Sequence, residues 1–328
     1  MKKSDDTRPL MVSIWCLTYN HESYISQCLD GFVMQNTNFR FEAIVHEDAS
    51  TDGTAAIVRK YAEKYPEIIK PIFETENQYS KNDGSIDKIM MNYTQGKYVA
   101  ICEGDDYWID EKKLQRQVDY LENHPDCGLV YQQCKCYLQR DKKFTRTSDG
   151  KNVIFEELMR INTISTLTTM FRHSLQRSYY EEIHPENQGW LLGDYPLWLY
   201  IAKQSKIQFL PGIVAVYRML GESASHSGDF QKYKTFVESC TSMKEFFCEK
   251  YGYKAKEFGL YDGLNISLAK DAMRHAMREE TLSYLNRVEH LDKSLKILRF
   301  ACSNSLLFFI FRKVYGVLRN NVLSNKIS

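Results

Sequence analysis

The chain has 328 residues, 43% of them hydrophobic and 26% charged, a profile that excludes a disordered, collagen-like or low-complexity protein. Its 43 Lys and Arg against 42 Asp and Glu leave a formal charge of +1, which excludes the broad positive surface that bulk nucleic-acid binding needs. Nine cysteines make no regular framework, because Cys134 and Cys136 are too close for a CxxC pair and no second pair completes a zinc site.

The thiols are therefore expected to be reduced and buried, which points to a cytosolic chain. At the N-terminus, Lys2 and Lys3 are followed by Ser4, Asp5 and Asp6 and not by an apolar run, so no export signal is expected. Leu10–Leu17 reads as a buried strand. Tyr24–Met34 reads as a helix with Ile25, Cys28, Leu29, Phe32 and Val33 on one face. Phe41–His46 is a second strand, Thr54–Tyr65 a helix, Ile68–Phe73 a third strand and Ile86–Tyr93 a short helix. Tyr98–Cys102 is a fourth strand, and Asp110–Asn123 is a helix for which Asp110 is a natural N-cap. Strands alternating with helices imply an α/β fold with a largely parallel sheet and helices on both faces.

Beyond Cys127 the pattern loosens. Gly128–Tyr137 reads as a strand, Asp141–Asn152 as a polar loop and Thr166–Phe171 as a strand. Tyr195–Lys203 is a helix, and Gln208–Tyr217 supplies two short strands split at Pro211-Gly212. The rest is helical: Phe230–Tyr251, Ala255–Met277 and Glu280–Leu291.

In open parallel α/β sheets ligands bind beyond the carboxyl ends of the strands. The first strand is followed by Thr18-Tyr19-Asn20-His21, the second by Glu47-Asp48-Ala49-Ser50-Thr51-Asp52-Gly53-Thr54, and the fourth by Glu103-Gly104-Asp105-Asp106-Tyr107-Trp108. Three carboxylates within four residues repel each other unless a cation sits among them. Asp105 and Asp106 have the hard oxygen ligands that Mg²⁺ takes alongside a substrate phosphate, although a solvated acidic turn has the same composition. Gly104 lets the backbone approach a ligand. No GxGxxG, GxxxxGK[ST], GxSxG or HExxH occurs, so a phosphate here has no glycine-rich cradle.

These pieces, in this order, resemble family 2 glycosyltransferases of the GT-A type over the first 125 or so residues. The matching segments are Val12–Asn20, Glu47–Thr54 and Tyr98–Trp108 followed by Lys113-Leu114. The resemblance implies a GT-A, Rossmann-like, mostly parallel sheet, a nucleotide-sugar donor, and Mg²⁺ or Mn²⁺ at a DxD-type motif. It implies that Thr18, Tyr19 and Asn20 line the nucleotide pocket, that Asp48 contacts the base with Glu47 beside it, and that Asp105 and Asp106 hold the diphosphate and metal. Glu47 and Glu103 stand where the family often has Asp, and Ala49 where Gly or Asn is usual. The family's base opens a helix after the acceptor region, which implies Asp194 in Gly193-Asp194-Tyr195-Pro196. Of the family's Tyr-Arg-x-His, Tyr217-Arg218 is present but Leu220 takes the His position. Arg218 is expected to balance diphosphate charge or to pair with an acid, and His226 to be a surface histidine or a substitute for the missing one. Trp108, Trp190 and Thr168 are candidate acceptor walls, and Thr166 is expected to face the same cleft as Thr168.

The resemblance divides the chain into a glycosyltransferase domain, 1–228, with a nucleotide-sugar half of about 1–125 and an acceptor half of about 126–228, and a helical region, 229–328. From Lys293 onward there are seven basic residues and no Asp or Glu, which leaves −6 on the rest of the chain. Within 293–320 they bracket Leu306–Phe311 and Val314–Leu318, the pattern of an amphipathic helix lying on an anionic membrane or of a last helix packed on the body. The implied reaction is inverting transfer of a sugar, from a UDP-sugar by preference, to a glycan or lipid-linked acceptor in cell-surface polysaccharide or glycolipid assembly. Its implied place is the cytoplasm, peripheral at the inner face of the membrane. A non-catalytic scaffold of the same fold and a nucleotidyltransferase are the alternatives.

Overall fold

The computed structural model describes residues 7–81, 83–220 and 228–325. The chain runs β1 (Leu10–Thr18), α1 (Ile25–Val33), β2 (Arg40–Glu47), α2 (Thr54–Lys64), β3 (Ile69–Phe73), α3 (Ser85–Tyr93) and β4 (Tyr98–Ile101). It continues through β5 (Tyr107–Trp108), α4 (Lys113–Asn123), β6 (Cys127–Leu138), β7 (Lys143–Thr147), α5 (Phe155–Arg160), β8 (Met170–Arg172), α6 (His173–Ile183), α7 (Asp194–Gln204) and β9 (Lys206–Met219). The last helices are α8 (Phe230–Tyr251), α9 (Leu260–Arg274), α10 (Arg278–Leu285), α11 (Lys293–Ala301) and α12 (Ser305–Asn325).

The strands join in the order β3-β2-β1-β4-β8-β6-β9-β5. β1 pairs in parallel with β2 and β4, and β2 with β3, so the carboxyl ends of these strands share one edge. β8 runs antiparallel to β4 and β6, and β5 antiparallel to β9. The sheet is therefore mixed, and its parallel part is confined to the first four strands in space. β1 is buried from Val12 to Cys16 because helices cover both faces. The polar residue in that run, Ser13, donates to Glu42 Oε1 at 2.7 Å and accepts from the Gly96 N–H at 2.9 Å. α1 buries Ile25, Cys28, Leu29 and Phe32 at helical spacing. α7 buries every residue from Tyr195 to Ile201, as a helix enclosed by protein does.

By compactness the chain divides into two units. The first comprises residues 1–137, 147–189 and 194–218, and the second 138–146, 190–193 and 219–328. In the second, Asp229 caps α8 by accepting from the Lys232 N–H at 3.0 Å, and Gly252 ends it at φ 73°. A separate core gathers Ala269, Met273, Leu285, Leu295, Leu298, Cys302 and Phe308 from α9 to α12. α12 thus packs through Phe308, with Phe311 and Tyr315 against the same core, while Leu306, Leu307, Phe309, Ile310 and Val314 stay exposed. No helix among the described residues is long and apolar enough to cross a membrane.

Several expected elements differ. α4 starts at Lys113, and Asp110 instead accepts from the Lys112 N–H at 2.9 Å, one turn early. The expected polar loop at 141–152 contains β7, whose residues are mostly exposed, so no buried alternation marks it. The expected strand at Thr166–Phe171 splits into a 3₁₀ turn, Thr166–Thr168, and β8. β9 is continuous through Pro211-Gly212, where Gly212 takes φ 119°. The expected helix 255–277 breaks at Gly259, whose φ of 61° separates a 3₁₀ turn from α9, and the helix expected at 280–291 forms as α10, ending at Leu285. All nine cysteines are free thiols, eight of them buried.

Candidate active site

The ends of β1, β2 and β4 carry the three polar clusters to one edge of the parallel strands, as their shared direction requires. The β4 cluster is the densest. Carboxylate oxygens of Glu103, Asp105 and Asp106 lie within 4.8 Å of one another. Asp106 is 2% exposed and accepts from the Arg218 N–H at 2.7 Å. Burial pushes its carboxyl well above the usual range, and the neighbouring Asp105 charge adds to this. Glu103 is open to solvent on one side, yet the protein around it raises its carboxyl to about 7, with Asp105 and then Asp194 contributing. Such crowding of acids is relieved by a divalent cation, and a donor set of carboxylate oxygens suits Mg²⁺ or Mn²⁺. The residues present fit a hard cation, with Asp105 and Asp106 as expected ligands and Glu103 within reach.

The β1 end borders this cluster. Thr18 Oγ1 and His21 Nδ1 are buried without a hydrogen-bond partner, whereas most buried polar atoms in proteins are paired. A Cβ built on Gly104 would stand 2.6 Å from Thr18 Oγ1 and 2.9 Å from His21 Nδ1, so Gly104 is required by close approach of the two strand ends. Burial lowers the His21 pKa, partly opposed by the Asp105 and Asp52 charges. His21 was in the sequence cluster but was not singled out; only its closeness to Asp105 marks it. Tyr19 is exposed, and Asn20, at φ 54°, accepts from the Thr51 N–H at 2.9 Å through its side chain.

At the β2 end, Asp48 accepts from the N–H groups of Gln78 at 2.6 Å and Tyr79 at 3.0 Å, one through each carboxylate oxygen. Asp48 is 3% exposed, so these two backbone donors fix its carboxylate in place. Glu47 Oε1 accepts from the Ser50 N–H at 2.8 Å. Ala49, where the family usually has Gly or Asn, takes φ 58°, the left-handed conformation those residues favour.

Asp194 opens α7 with Pro196 in the first turn. Its Oδ1 accepts from the Tyr195 N–H at 2.7 Å, and its Oδ2 from Thr166 Oγ1. Asp194 lies in the same compact unit as the β4 cluster, and its charge contributes, after burial and Asp105, to raising the Glu103 carboxyl. Tyr217 belongs there too, its hydroxyl pushed up by burial and by Asp106, Glu103 and Asp105.

Trp108 and Thr168, expected at the acceptor, are buried in the core. Trp108 is 2% exposed, packs edge-on to Phe32 with centroids 5.0 Å apart, and donates its indole N–H to the Leu167 carbonyl at 2.8 Å. A buried indole offers no face to a sugar. Thr168 is fully buried and donates to the Ser165 carbonyl at 2.7 Å; Thr166, two residues earlier, is the one that reaches Asp194. The Arg218 guanidinium lies 4.6 Å from the Tyr107 ring centroid and 5.2 Å from that of Tyr24, and donates to Gln27; its backbone N–H donates to Asp106. Trp190 belongs to the second unit, where it packs against Phe246 and Phe247 with centroids 5.2 and 6.0 Å apart. His226 lies outside the described residues.

Residues 13–183 match the family described as Glycosyl transferase family 2, about half of the chain. An uncharacterised protein of Mycobacterium tuberculosis is 34% identical over 219 residues, 66% of this chain and 61% of the relative, so the chain spans under two thirds of that protein's length. The Escherichia coli UDP-Glc:alpha-D-GlcNAc-diphosphoundecaprenol beta-1,3-glucosyltransferase WfgD is 23% identical over 226 residues, 68% of this chain and 83% of WfgD. Among solved structures, Staphylococcus aureus TarS 1–349 in complex with UDP-GlcNAc aligns with a TM-score of 0.54 at 15% identity, over 95% of this chain and 92% of that one. The mannosyltransferase PcManGT of Pyrobaculum calidifontis, in complex with GDP-Man and Mn²⁺, aligns with a TM-score of 0.54 at 17% identity, over 93% and 88%. These two share the fold.

Proposed function

The chain belongs to glycosyltransferase family 2, and on that premise we propose that it transfers a sugar from a nucleoside-diphosphate sugar to an acceptor hydroxyl with inversion at the anomeric carbon. The observation that carries this reading is the cluster of Glu103, Asp105 and Asp106 carboxylates beyond β4, in the compact unit whose α7 opens with Asp194. Thr18, Tyr19 and Asn20 from β1, with Glu47 and Asp48 from β2, border the donor, and Asp48 contacts the base. A UDP-sugar is the favoured donor, since the donors named for WfgD and TarS carry uridine, although GDP-Man in PcManGT keeps guanosine open.

Asp105 and Asp106 hold a divalent cation, Mg²⁺ or Mn²⁺, which when bound offsets the charge that develops on the departing diphosphate. Asp194 receives the proton of the acceptor hydroxyl on a carboxylate oxygen. The acceptor oxygen then bonds to the anomeric carbon as the bond to the diphosphate breaks, and the electron pair leaves with the diphosphate. One base with no second carboxylate acting as nucleophile makes this a single displacement. Arg218 orients Asp106 through its backbone N–H, and its guanidinium is the side-chain cation assigned to the diphosphate.

We assign 1–228 to catalysis, with the nucleotide-sugar half at about 1–125, and 229–328 to a helical region that meets the membrane. α11 exposes Ile297 and Phe300 beside exposed Lys293, Lys296 and Arg299; α12 exposes Leu306, Phe309, Ile310 and Val314 beside Lys313. Apolar residues mixed with cations and free of acids suit an anionic bilayer face. A lipid-linked acceptor at the inner face of the cell membrane, in polysaccharide or glycolipid assembly, follows as the substrate class; the acceptor named for WfgD is lipid-linked.

A donor screen tests the reading. Purified protein is mixed with each common nucleotide sugar and Mn²⁺, Mg²⁺ or EDTA, following melting temperature and slow release of free nucleotide. A metal-dependent shift with one donor, lost in Asp105→Ala/Asp106→Ala, is expected. Folded protein that responds to no donor overturns it.

A further inference from the structure

Three consecutive carbonyls of the turn beside Asp194 are held by three donors from one stretch of chain. Trp108 Nε1 donates to the Leu167 carbonyl at 2.8 Å, Gln117 Nε2 to the Thr168 carbonyl at 2.7 Å, and Lys113 Nζ to the Thr169 carbonyl at 3.3 Å. Lys113 also donates to Gln117 Oε1 at 2.9 Å and sits 4.1 Å from the Trp108 ring centroid. Trp108 is 2% exposed, and Lys113 and Gln117 are fully buried. A buried lysine and glutamine are unfavourable unless their hydrogen bonds are made, and apolar residues of similar size would fill the same space. What these side chains provide that Met or Leu would not is a grip on the backbone of 167–169.

The turn passes this grip on. Thr169 donates to the Thr166 carbonyl from its N–H at 3.1 Å and from its hydroxyl at 2.7 Å. Thr166 then donates through Oγ1 to Asp194 Oδ2. The stretch that does the gripping begins two residues after Asp106. One segment therefore carries the donor-side carboxylates and braces the turn that meets the base.

We propose that Thr166 is a positioning residue for Asp194, and that Trp108, Lys113 and Gln117 act through it by holding the 166–169 turn. This rests on the sugar-transfer reading above. Asp194 has two rotatable side-chain bonds, and its Oδ1 contact is to the neighbouring N–H of its own helix. Thr166 is the side chain that ties its carboxylate to a separate element. With Oδ2 held there, the remaining lone pairs keep one direction towards the acceptor. A misplacement of about 1 Å in a reacting group costs on the order of 100-fold in rate.

The test uses the full chain and the donor found by the screen, with water as acceptor and nucleotide release as the readout. Thr166→Val is expected to lower kcat about 10- to 100-fold with KM for the donor unchanged, and Thr166→Ser to return kcat to within about threefold of wild type. Gln117→Met and Lys113→Met are expected to lower kcat about tenfold, again without a KM effect. Wild-type kcat in Thr166→Val, a matching rise in KM, or no rescue by Ser overturns the proposal. Asp194→Asn run in parallel separates the two readings: turnover lost there but intact in Thr166→Val refutes the positioning role and leaves the transferase standing. If the wild type turns over no donor, hydrogen exchange still decides. Gln117→Met is expected to speed exchange at 165–170 and at 194–198 together; faster exchange at 165–170 alone overturns the coupling.

Discussion

Ala49 illustrates how a single residue can work against the loop it sits in. Its φ of 58° is a conformation that disfavours a Cβ by about 1 kcal/mol or more. The loop holds it there because Glu47 accepts from the Ser50 N–H and Asn20 from the Thr51 N–H on either side. Ala49→Gly relieves about 1–2 kcal/mol of strain and adds about 0.4–1 kcal/mol of unfolded-state entropy, so the first effect outweighs the second. The expected net is a gain of up to about 1 kcal/mol, read as a rise in melting temperature of about 1–3 °C; a fall would mean that the Ala49 methyl contributes packing. At Gly104 the sign is opposite. A methyl there must displace Thr18 and His21, so Gly104→Ala should lower the melting temperature of the free protein, at a cost of about 1–3 kcal/mol, and weaken donor binding at least tenfold in a titration. Asp194→Asn keeps the shape of the side chain and removes the base. Turnover should fall about 100- to 10,000-fold with donor affinity retained, measured by nucleotide release and by calorimetry. Retained turnover would end the assignment of Asp194 as base. The Asp105, Asp106 and Asp194 positions were legible in the chain because each follows a recognisable strand or opens a recognisable helix. The Thr166 partner was not, since 28 residues separate it from Asp194.

The helices show where periodicity informs and where it stops. α1 and α8 form where their patterns predict, because apolar spacing, Asp229 at the cap and Gly252 past the end all agree. The break at Gly259 was hidden, because the apolar periodicity continues across it and only the backbone reversal ends it. α12 could be read as packed or as lying on a membrane, and it has a surface for each. Phe308, Phe311 and Tyr315 pack against the core of α9 to α11, and Leu306, Phe309, Ile310 and Val314 remain exposed. A triple change of Leu306, Phe309 and Ile310 to Ser is therefore expected to keep the fold and release the protein from anionic vesicles by more than tenfold in a sedimentation assay. Each such side chain contributes about 1.5–3 kcal/mol when buried. High salt, and neutral vesicles likewise, should weaken wild-type binding in part, through the basic residues, while the apolar contribution remains. Equal binding of the triple variant would remove the membrane role of this helix.

On the scale of the whole molecule, the buried Lys113 links the proposed clamp to stability. Burial lowers its pKa to about 7, whereas an unfolded lysine titrates near about 10.4. Between these values the unfolded state holds more protons, so stability rises with pH across that window. Below about 7 both states are charged, and the native state carries the full penalty of a buried ammonium. The neutral amine has two N–H groups, matching the two acceptors at Gln117 and Thr169. Lys113→Met should flatten this limb by a few kcal/mol and be relatively more stable at pH 6.5 than at pH 9.5. Denaturant unfolding at the two pH values checks it, and parallel pH dependence in both proteins would refute it. The alternation of strand and helix, the polar clusters at strand ends and the helix-opening Asp194 were determined by the sequence alone, because each is written within one element or the step to the next. Tertiary structure decided that Trp108 and Thr168 are core, that the Arg218 guanidinium stacks on Tyr107 and Tyr24, and that Thr166 holds Asp194. It also confined the parallel pairing to four strands. Each of those outcomes depends on which distant segment arrives to occupy a side chain's hydrogen bonds and cover its faces, and that is set by how the elements pack on one another.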